Sequence, residues 1–314
     1  MNIVEVSSLI KKYNNIMALN NISLNIEEGK IYGLLGPNGS GKSTLINILS
    51  GILKFDSGKC YIFQKDINNN RNYIKKYIGV VPQEYSFYDD LKVKENLELF
   101  GRLYGLRGKV IEERIDRIIK KLDLYQYKDR YPAEFSGGMK RRVNIACSII
   151  HNPKILIMDE PTASLDPIAR DYVLNCVKNI NKEGCTIVYT SHYLEEVEEL
   201  CDKVAILNKG ILITEGKPKE IGSFFSKRNI IDISINKIND SSLFKLNNIQ
   251  KEILFLNDIN INVDVERSSI NISCNNPSIT LEKILAFLRE NKISIKDINV
   301  KKATLEETFI RLVK

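Results

Sequence analysis

The chain has 314 residues, with 43% hydrophobic and 27% charged side chains, a length that suits two domains and the balance of an ordinary globular protein. Its 46 basic and 39 acidic residues leave a net charge of +7, spread along the chain rather than gathered into a basic arm, so no nucleic-acid partner is expected. Six scattered cysteines without a CxxC spacing read as buried thiols and exclude a disulfide framework or a zinc ribbon.

The opening MNIVEVSSLI lacks the basic and apolar regions of a signal peptide. It continues as strand, turn, strand: IVEVSSLIKKY, then LNNISLNIEEGKIYGLLG, with apolar alternation in NISLNIE and a turn at Glu28-Gly29. IYGLLG reads as a buried strand running into a glycine loop, and STLINILSGIL has helical periodicity. GKCYIFQKDI reads as a hairpin strand and KKYIGVVPQ as a buried one. From Lys92 to about Asp129 the pattern is helical and charged, broken by Gly101, Gly105 and Gly108. MKRRVNIACSIIHNP is a helix stopped by Asn152-Pro153, with His151 expected as a charge at its C-terminal end.

KILIMDEP is a short apolar strand of the kind found in sheets covered on both faces. A helix from Ile168 to Lys182, the strand CTIVYTS, a helix from Tyr193 to Leu200 and the hairpin KVAILNKGILITEG follow. Strands alternating with helices predict an α/β fold with a parallel sheet. After about Arg228 the composition shifts to Asn, Ile, Asp and Lys. NIIDISIN, INVDVERSSINISC and SIKDINV read as strands, the middle pair turning at Arg267-Ser268-Ser269. SLFKLNNI, ITLEKILAFLREN and TLEETFIRLVK read as helices. This order suits a small split βαβ domain over 229–314, with residues 1–228 forming the first domain. No run reaches the roughly 18 apolar residues of a membrane-spanning helix.

The strongest chemical signal is GPNGSGKST, Gly36-Pro37-Asn38-Gly39-Ser40-Gly41-Lys42-Ser43-Thr44, which fits the phosphate-loop pattern G-x-x-x-x-G-K-[ST]. The glycines let backbone N–H groups face a phosphate, and the helix that starts there favours an anion. Lys42 can reach the β- and γ-phosphates of ATP, and the Ser43 hydroxyl suits Mg²⁺. A second acidic strand end, Met158-Asp159-Glu160-Pro161, offers Asp159 to the metal and Glu160 to the attacking water. Phe135-Ser136-Gly137-Gly138-Met139 lies between the two, where paired glycines open a helix with Ser136 as its N-cap.

At that location the sequence resembles the LSGGQ signature of the ATP-binding-cassette ATPases, and the rest of the family pattern follows in order. Tyr13 resembles the aromatic that stacks on adenine, and Gln83 the glutamine that senses Mg²⁺ and faces the membrane partner. Ser164-Leu165-Asp166 resembles the D-loop, and His192 the switch histidine that bonds the γ-phosphate. The resemblance implies a cassette with a parallel core sheet, an antiparallel β subdomain, a helical subdomain at about 92–152 and a small C-terminal α+β domain. It further implies Mg-ATP hydrolysis by two cassettes facing head to tail, so that Ser136, Gly137 and Gly138 complete the partner's site. A separate integral-membrane permease would hold the pair peripherally at the cytoplasmic face of the membrane. Met139 stands where glutamine is usual, which resembles the branch exporting drugs, peptides and lipids, as does the ending KKATLEETFIRL. Leu305, Phe309 and Leu312 then make one apolar stripe. Lys140-Arg141-Arg142 reads as a solvated helix face. The competing reading is a cassette ATPase acting on ribosomes or DNA, but one cassette without heptads or cysteine pairs speaks against it.

Overall fold

The computed structural model describes residues 1–225, 229–236, 260–264, 268–274 and 276–301. The helices expected from SLFKLNNI and TLEETFIRLVK, with the stripe Leu305, Phe309 and Leu312, lie outside the described residues, as does Arg267 of the expected turn.

Two long strands, β1 (Asn2–Tyr13) and β2 (Ile16–Glu27), pair antiparallel, and their alternating apolar positions put Leu9, Leu19, Ile22 and Ile26 in the core. With β4 (Ser57–Ile62) and β5 (Lys65–Asp66) they form a four-stranded sheet in the order β2-β1-β4-β5. A six-stranded sheet is built from β3 (Ile31–Leu35), β6 (Ile78–Val81), β7 (Ile155–Asp159), β8 (Thr186–Thr190), β9 (Lys203–Asn208) and β10 (Ile211–Gly216). Its order is β10-β9-β3-β8-β7-β6, parallel from β9 to β6, with β10 antiparallel at one edge. Every residue of β3 and β8 is buried, which explains why neither strand alternates apolar with charged residues.

Five helices connect these strands: α1 (Lys42–Leu49), α2 (Ile67–Lys75), α5 (Gly137–Ile149), α6 (Pro167–Lys182) and α7 (Leu194–Leu200). Two more, α3 (Val93–Leu103) and α4 (Gly108–Lys121), fill the charged segment after Lys92. Gly101 does not break this segment. It lies inside α3, where a Cβ would stand 2.7 Å from Ile111 Cδ1, so its lack of a side chain lets α4 come close. The helix ends before Gly105, whose φ of +87° turns the Leu106 N–H back to the Gly101 carbonyl at 2.9 Å.

The chain divides into two compact units after Pro218, earlier than the change of composition near Arg228. The second unit holds a sheet of β11 (Asn229–Ile235), β12 (Asn260–Asp264), β13 (Ser269–Cys274) and β14 (Ile295–Lys301). Its order is β12-β13-β11-β14, every pair antiparallel. The helix Pro277–Glu290 packs Ile284, Phe287 and Leu288 against Ile231, Ile233, Ile270 and Ile272 of the sheet. Within the first unit, β3, β7 and β8 end side by side, and the loops that leave them build the site.

Candidate functional site

The glycine loop leaves β3 and enters α1 at Lys42, with Gly41 as the helix N-cap at φ +105°. A Cβ at Gly41 would stand 2.6 Å from the Ala18 carbonyl oxygen, so conformation and packing both require glycine there. Lys42 is only 7% exposed, and its Nζ donates to the carbonyls of Gly36 at 2.7 Å and Pro37 at 3.1 Å. Burial lowers the ammonium's pKa, while Glu160 and Asp159 oppose that shift. The loop therefore holds a charged group whose present partners are neutral carbonyls, and an anion would bind it more strongly.

An open cleft of about 450 Å³ lies over this loop. It is lined by Asn38, Gly39, Ser40, Gly41, Lys42, Ser43 and Thr44, by Gln83, by Asp159 and Glu160, and by Ile16, Met17, Ala18 and Lys209. Residues far apart in sequence thus converge on one surface. Ser43, Gln83 and Asp159 supply hydroxyl, amide and carboxylate oxygens, a hard donor set that fits Mg²⁺.

Asp159 ends β7, and its Oδ1 accepts from Thr190 Oγ1 at 2.7 Å. The same Thr190 oxygen accepts the Glu160 N–H at 2.9 Å, so β8 fixes both acids. Glu160 sits at φ +49°, a left-handed conformation costing about 1 kcal/mol or more in a residue with a Cβ. Its Oε1 lies 2.6 Å from His192 Nε2, with the carboxylate 14% and the imidazole 47% exposed. The pair joins the loops after β7 and β8, and the histidine remains open to solvent.

The expected signature lies apart from this cleft wall. Ser136 caps α5, its Oγ accepting the Met139 N–H at 3.4 Å, and Gly137 and Gly138 form the first turn. None of the three lines the cleft over Lys42. Ser164 is exposed at φ +61°, and Asp166 caps α6 by accepting the Ala169 N–H at 2.9 Å. Tyr13 is not on the cleft wall either. It ends β1 opposite Ile16, is 46% exposed and carries Lys11 Nζ 5.5 Å from its ring centroid, whereas Ile16 and Met17 supply the apolar wall.

Two sequence expectations are overturned. Lys140-Arg141-Arg142 is not a solvated face, because Arg141 is 2% exposed and donates to the Pro82 carbonyl at 2.9 Å and the Gln83 carbonyl at 2.8 Å. Arg142 in turn lies 3.6 Å from the centroid of the Tyr172 ring. His151 is not a helix-end charge: burial lowers its pKa to about 4. Its ring stacks on Tyr104 at 3.6 Å, and Nε2 lies 3.1 Å from the Ile78 carbonyl it donates to.

Sequence reasoning also missed Asn144, which is fully buried and accepts from Ser86 N and Oγ while donating to the Pro82 carbonyl at 3.3 Å. Lys209 and the stretch Ile16–Ala18 were missed too, since only the fold brings them to the loop. The Gly210 N–H donates to the Ser40 carbonyl at 3.0 Å, which ties the β9–β10 turn to the glycine loop.

The family described as ABC transporter matches residues 19–163. The chain is 34% identical to the linearmycin resistance ATP-binding protein LnrL of Bacillus subtilis, over 98% of this chain and 97% of that one. It is 31% identical to the daunorubicin/doxorubicin resistance ATP-binding protein DrrA of Streptomyces peucetius, over 98% of this chain and 92% of that one. Among solved structures, a dimeric ATP-binding cassette in a post-hydrolysis state, bound to ADP and Pi, matches with a TM-score of 0.62 and 30% identity. That match covers 68% of this chain and 98% of the cassette.

Proposed function

Because this chain belongs to the ABC transporter family, as an ATP-hydrolysing subunit of the export type, we propose that it energises export of a drug, peptide, lipid or ion through a separate membrane permease. The observation that carries the site assignment is the contact of Glu160 with His192 at 2.6 Å, beside the cleft that also holds Lys42 and Asp159. The relatives' names, which speak of resistance to linearmycin and daunorubicin, support an exporter.

In this reading the triphosphate lies along the Gly36–Thr44 loop, and Lys42 exchanges its two carbonyl partners for β- and γ-phosphate oxygens. Ser43, Gln83 and Asp159 would hold Mg²⁺, which when bound would supply positive charge against the developing negative charge of hydrolysis. Glu160 takes the proton of the attacking water, and the His192 Nε2–H that now meets this carboxylate is the donor that turns to the γ-phosphate. Ile16 and Met17 offer an apolar wall to the base, with Tyr13 at the end of the adjoining strand. Ser136, Gly137 and Gly138 reach the γ-phosphate of a second cassette, with Ser164 and Asp166 at the same interface.

Loss of the γ-phosphate removes contacts to Lys42, His192 and the second chain's Ser136, each worth about 1.5–3 kcal/mol. Together they come to about 4.5–9 kcal/mol per site, so the two sites of a closed pair exceed the ~5.5 kcal/mol that inverts a two-state population. Hydrolysis therefore suffices to open a closed pair, and the permease converts that opening into transport. Among the described residues no helix is long and apolar enough to cross a membrane, which suits a peripheral subunit at the cytoplasmic face.

The test is Glu160→Gln in the full chain. It is expected to lower turnover at least 100-fold while retaining ATP binding, and to migrate as a dimer when ATP is present. Turnover at the wild-type level would remove Glu160 from the mechanism.

A further inference from the structure

Helix α7 reads LEEVEEL, a run of acids that suits a solvated surface, yet Glu196 within it is 3% exposed. Three hydroxyls donate to its Oε2, each at 2.8 Å: Thr162 Oγ1, Tyr189 OH and Ser191 Oγ. Arg170 Nε faces the other oxygen at 3.5 Å, a charge contact without hydrogen-bond geometry. The Arg170 guanidinium also lies 3.9 Å from the centroid of the Tyr193 ring.

These partners flank the hydrolytic pair on both sides. Thr162 is two residues beyond Glu160. Ser191 immediately precedes His192, and its Oγ accepts the Tyr193 N–H at 2.9 Å, closing a turn with His192 at the apex. Because the Ser191 proton is directed to Glu196, the lone pair is left free for Tyr193. One carboxylate oxygen therefore sets the distance between the chain that bears Glu160 and the turn that bears His192. A glutamine amide in its place would offer one oxygen and bring donors of its own toward these hydroxyls.

We propose that Glu196 is a positioning residue for hydrolysis, holding His192 against Glu160 through Ser191 and Thr162. The proposal rests on reading Glu160 and His192 as the hydrolytic pair. A residue that only stabilised the fold would change the melting temperature and leave the pair's geometry alone; a positioning residue changes the pair.

The experiment uses the full chain and three variants: Glu196→Gln, Ser191→Ala and Glu160→Gln as reference. ATP turnover is measured as kcat and KM, and the histidine ring signals are followed by NMR. With two histidines in the sequence, only His151 and His192 contribute those signals. Glu196→Gln and Ser191→Ala are each expected to lower kcat by about 10- to 100-fold with KM changed less than about threefold, the pattern of misplaced catalytic groups. The His192 signals move in both while those of His151 stay. A Glu196→Gln/Ser191→Ala double variant, made alongside, is no slower than the slower single one, because both cut the same link. Should Glu196→Gln fail to fold, Ser191→Ala decides alone, since it keeps the carboxylate. Near-wild-type kcat in Ser191→Ala, or unmoved His192 signals, overturns the positioning role even when Glu160→Gln is inactive. Turnover that persists in Glu160→Gln overturns the hydrolytic reading itself and the proposal with it.

Discussion

The guanidinium of Arg141 donates from Nη2 to the backbone carbonyl of Gln83 at 2.8 Å, so the helix opened by Ser136 holds the loop that carries a cleft residue. A second bond, to the Pro82 carbonyl at 2.9 Å, makes the grip two-pronged. Each charge-assisted bond is worth about 1.5–3 kcal/mol, and without them the Pro82 carbonyl keeps only the longer bond from Asn144 at 3.3 Å. Arg141→Met is expected to destabilise the first unit by about 3 kcal/mol and to raise the Mg²⁺ concentration needed for half-maximal turnover. Arg141→Lys recovers part of the loss, because an ammonium cannot span both carbonyls as the planar fork does. Thermal unfolding and a Mg²⁺ titration check this, and an unchanged titration would separate Gln83 from the metal.

The left-handed backbone at Gly41 makes a sharper prediction. Gly41→Ala adds a Cβ at φ +105° and places it against the Ala18 carbonyl, in the wall of the cleft. Strain of this kind costs about 1–3 kcal/mol and moves the loop N–H groups off the phosphate. ATP affinity should fall at least tenfold, measured with a fluorescent analogue, while circular dichroism stays that of the parent.

Lys209 lies in the β9–β10 turn and lines the cleft. Its charge adds to that of Lys42, so it should strengthen substrate and transition-state binding alike. Lys209→Ala is expected to raise KM for ATP about three- to tenfold with kcat unchanged. The effect should shrink as salt rises. A fall in kcat instead would give Lys209 a role in hydrolysis.

His151 predicts an acid sensitivity that belongs to the fold rather than to the chemistry. Its folded pKa is lowered to about 4 from an ordinary 6.5, chiefly by burial. The unfolded chain therefore binds the proton first. Stability is at its full value above about pH 6.5 and falls as the pH drops from there toward 4, by about 1.4 kcal/mol per unit. Denaturant titrations at pH 7 and 5 should show the loss in the parent and not in His151→Gln. Equal losses in both would assign the acid sensitivity to other groups.

The phosphate loop, the acids ending β7 and the buried strands of the parallel sheet were legible because each is written in consecutive residues. A strand buried on both faces is an apolar run, and a phosphate cradle is a glycine pattern. What stayed hidden depends on contacts between distant segments. Arg141 looks like its neighbours Lys140 and Arg142, and only the carbonyls delivered by the Gln83 loop distinguish it. Glu196 is one of four acids in a short helix, and what marks it is three hydroxyls delivered by two other segments. His151 carries no local mark of the Tyr104 ring stacked on it. Gly101 reads as a break although it serves as a point of close approach. Patterns along the chain report which face is buried, but not which partner a buried polar group meets.

Lys42 lines the cleft, and Ser136 does not. If each composite site draws these two residues from different chains, defects in them obey the genetics of complementation. A chain lacking Lys42 mixed with a chain lacking Ser136 yields pairs in which one site carries both lesions and the other carries neither. Two inactive preparations combined should therefore regain part of the parent's turnover, whereas two Lys42 lesions should never rescue each other. Inheritance of the activity would then follow the pair of chains rather than either polypeptide alone.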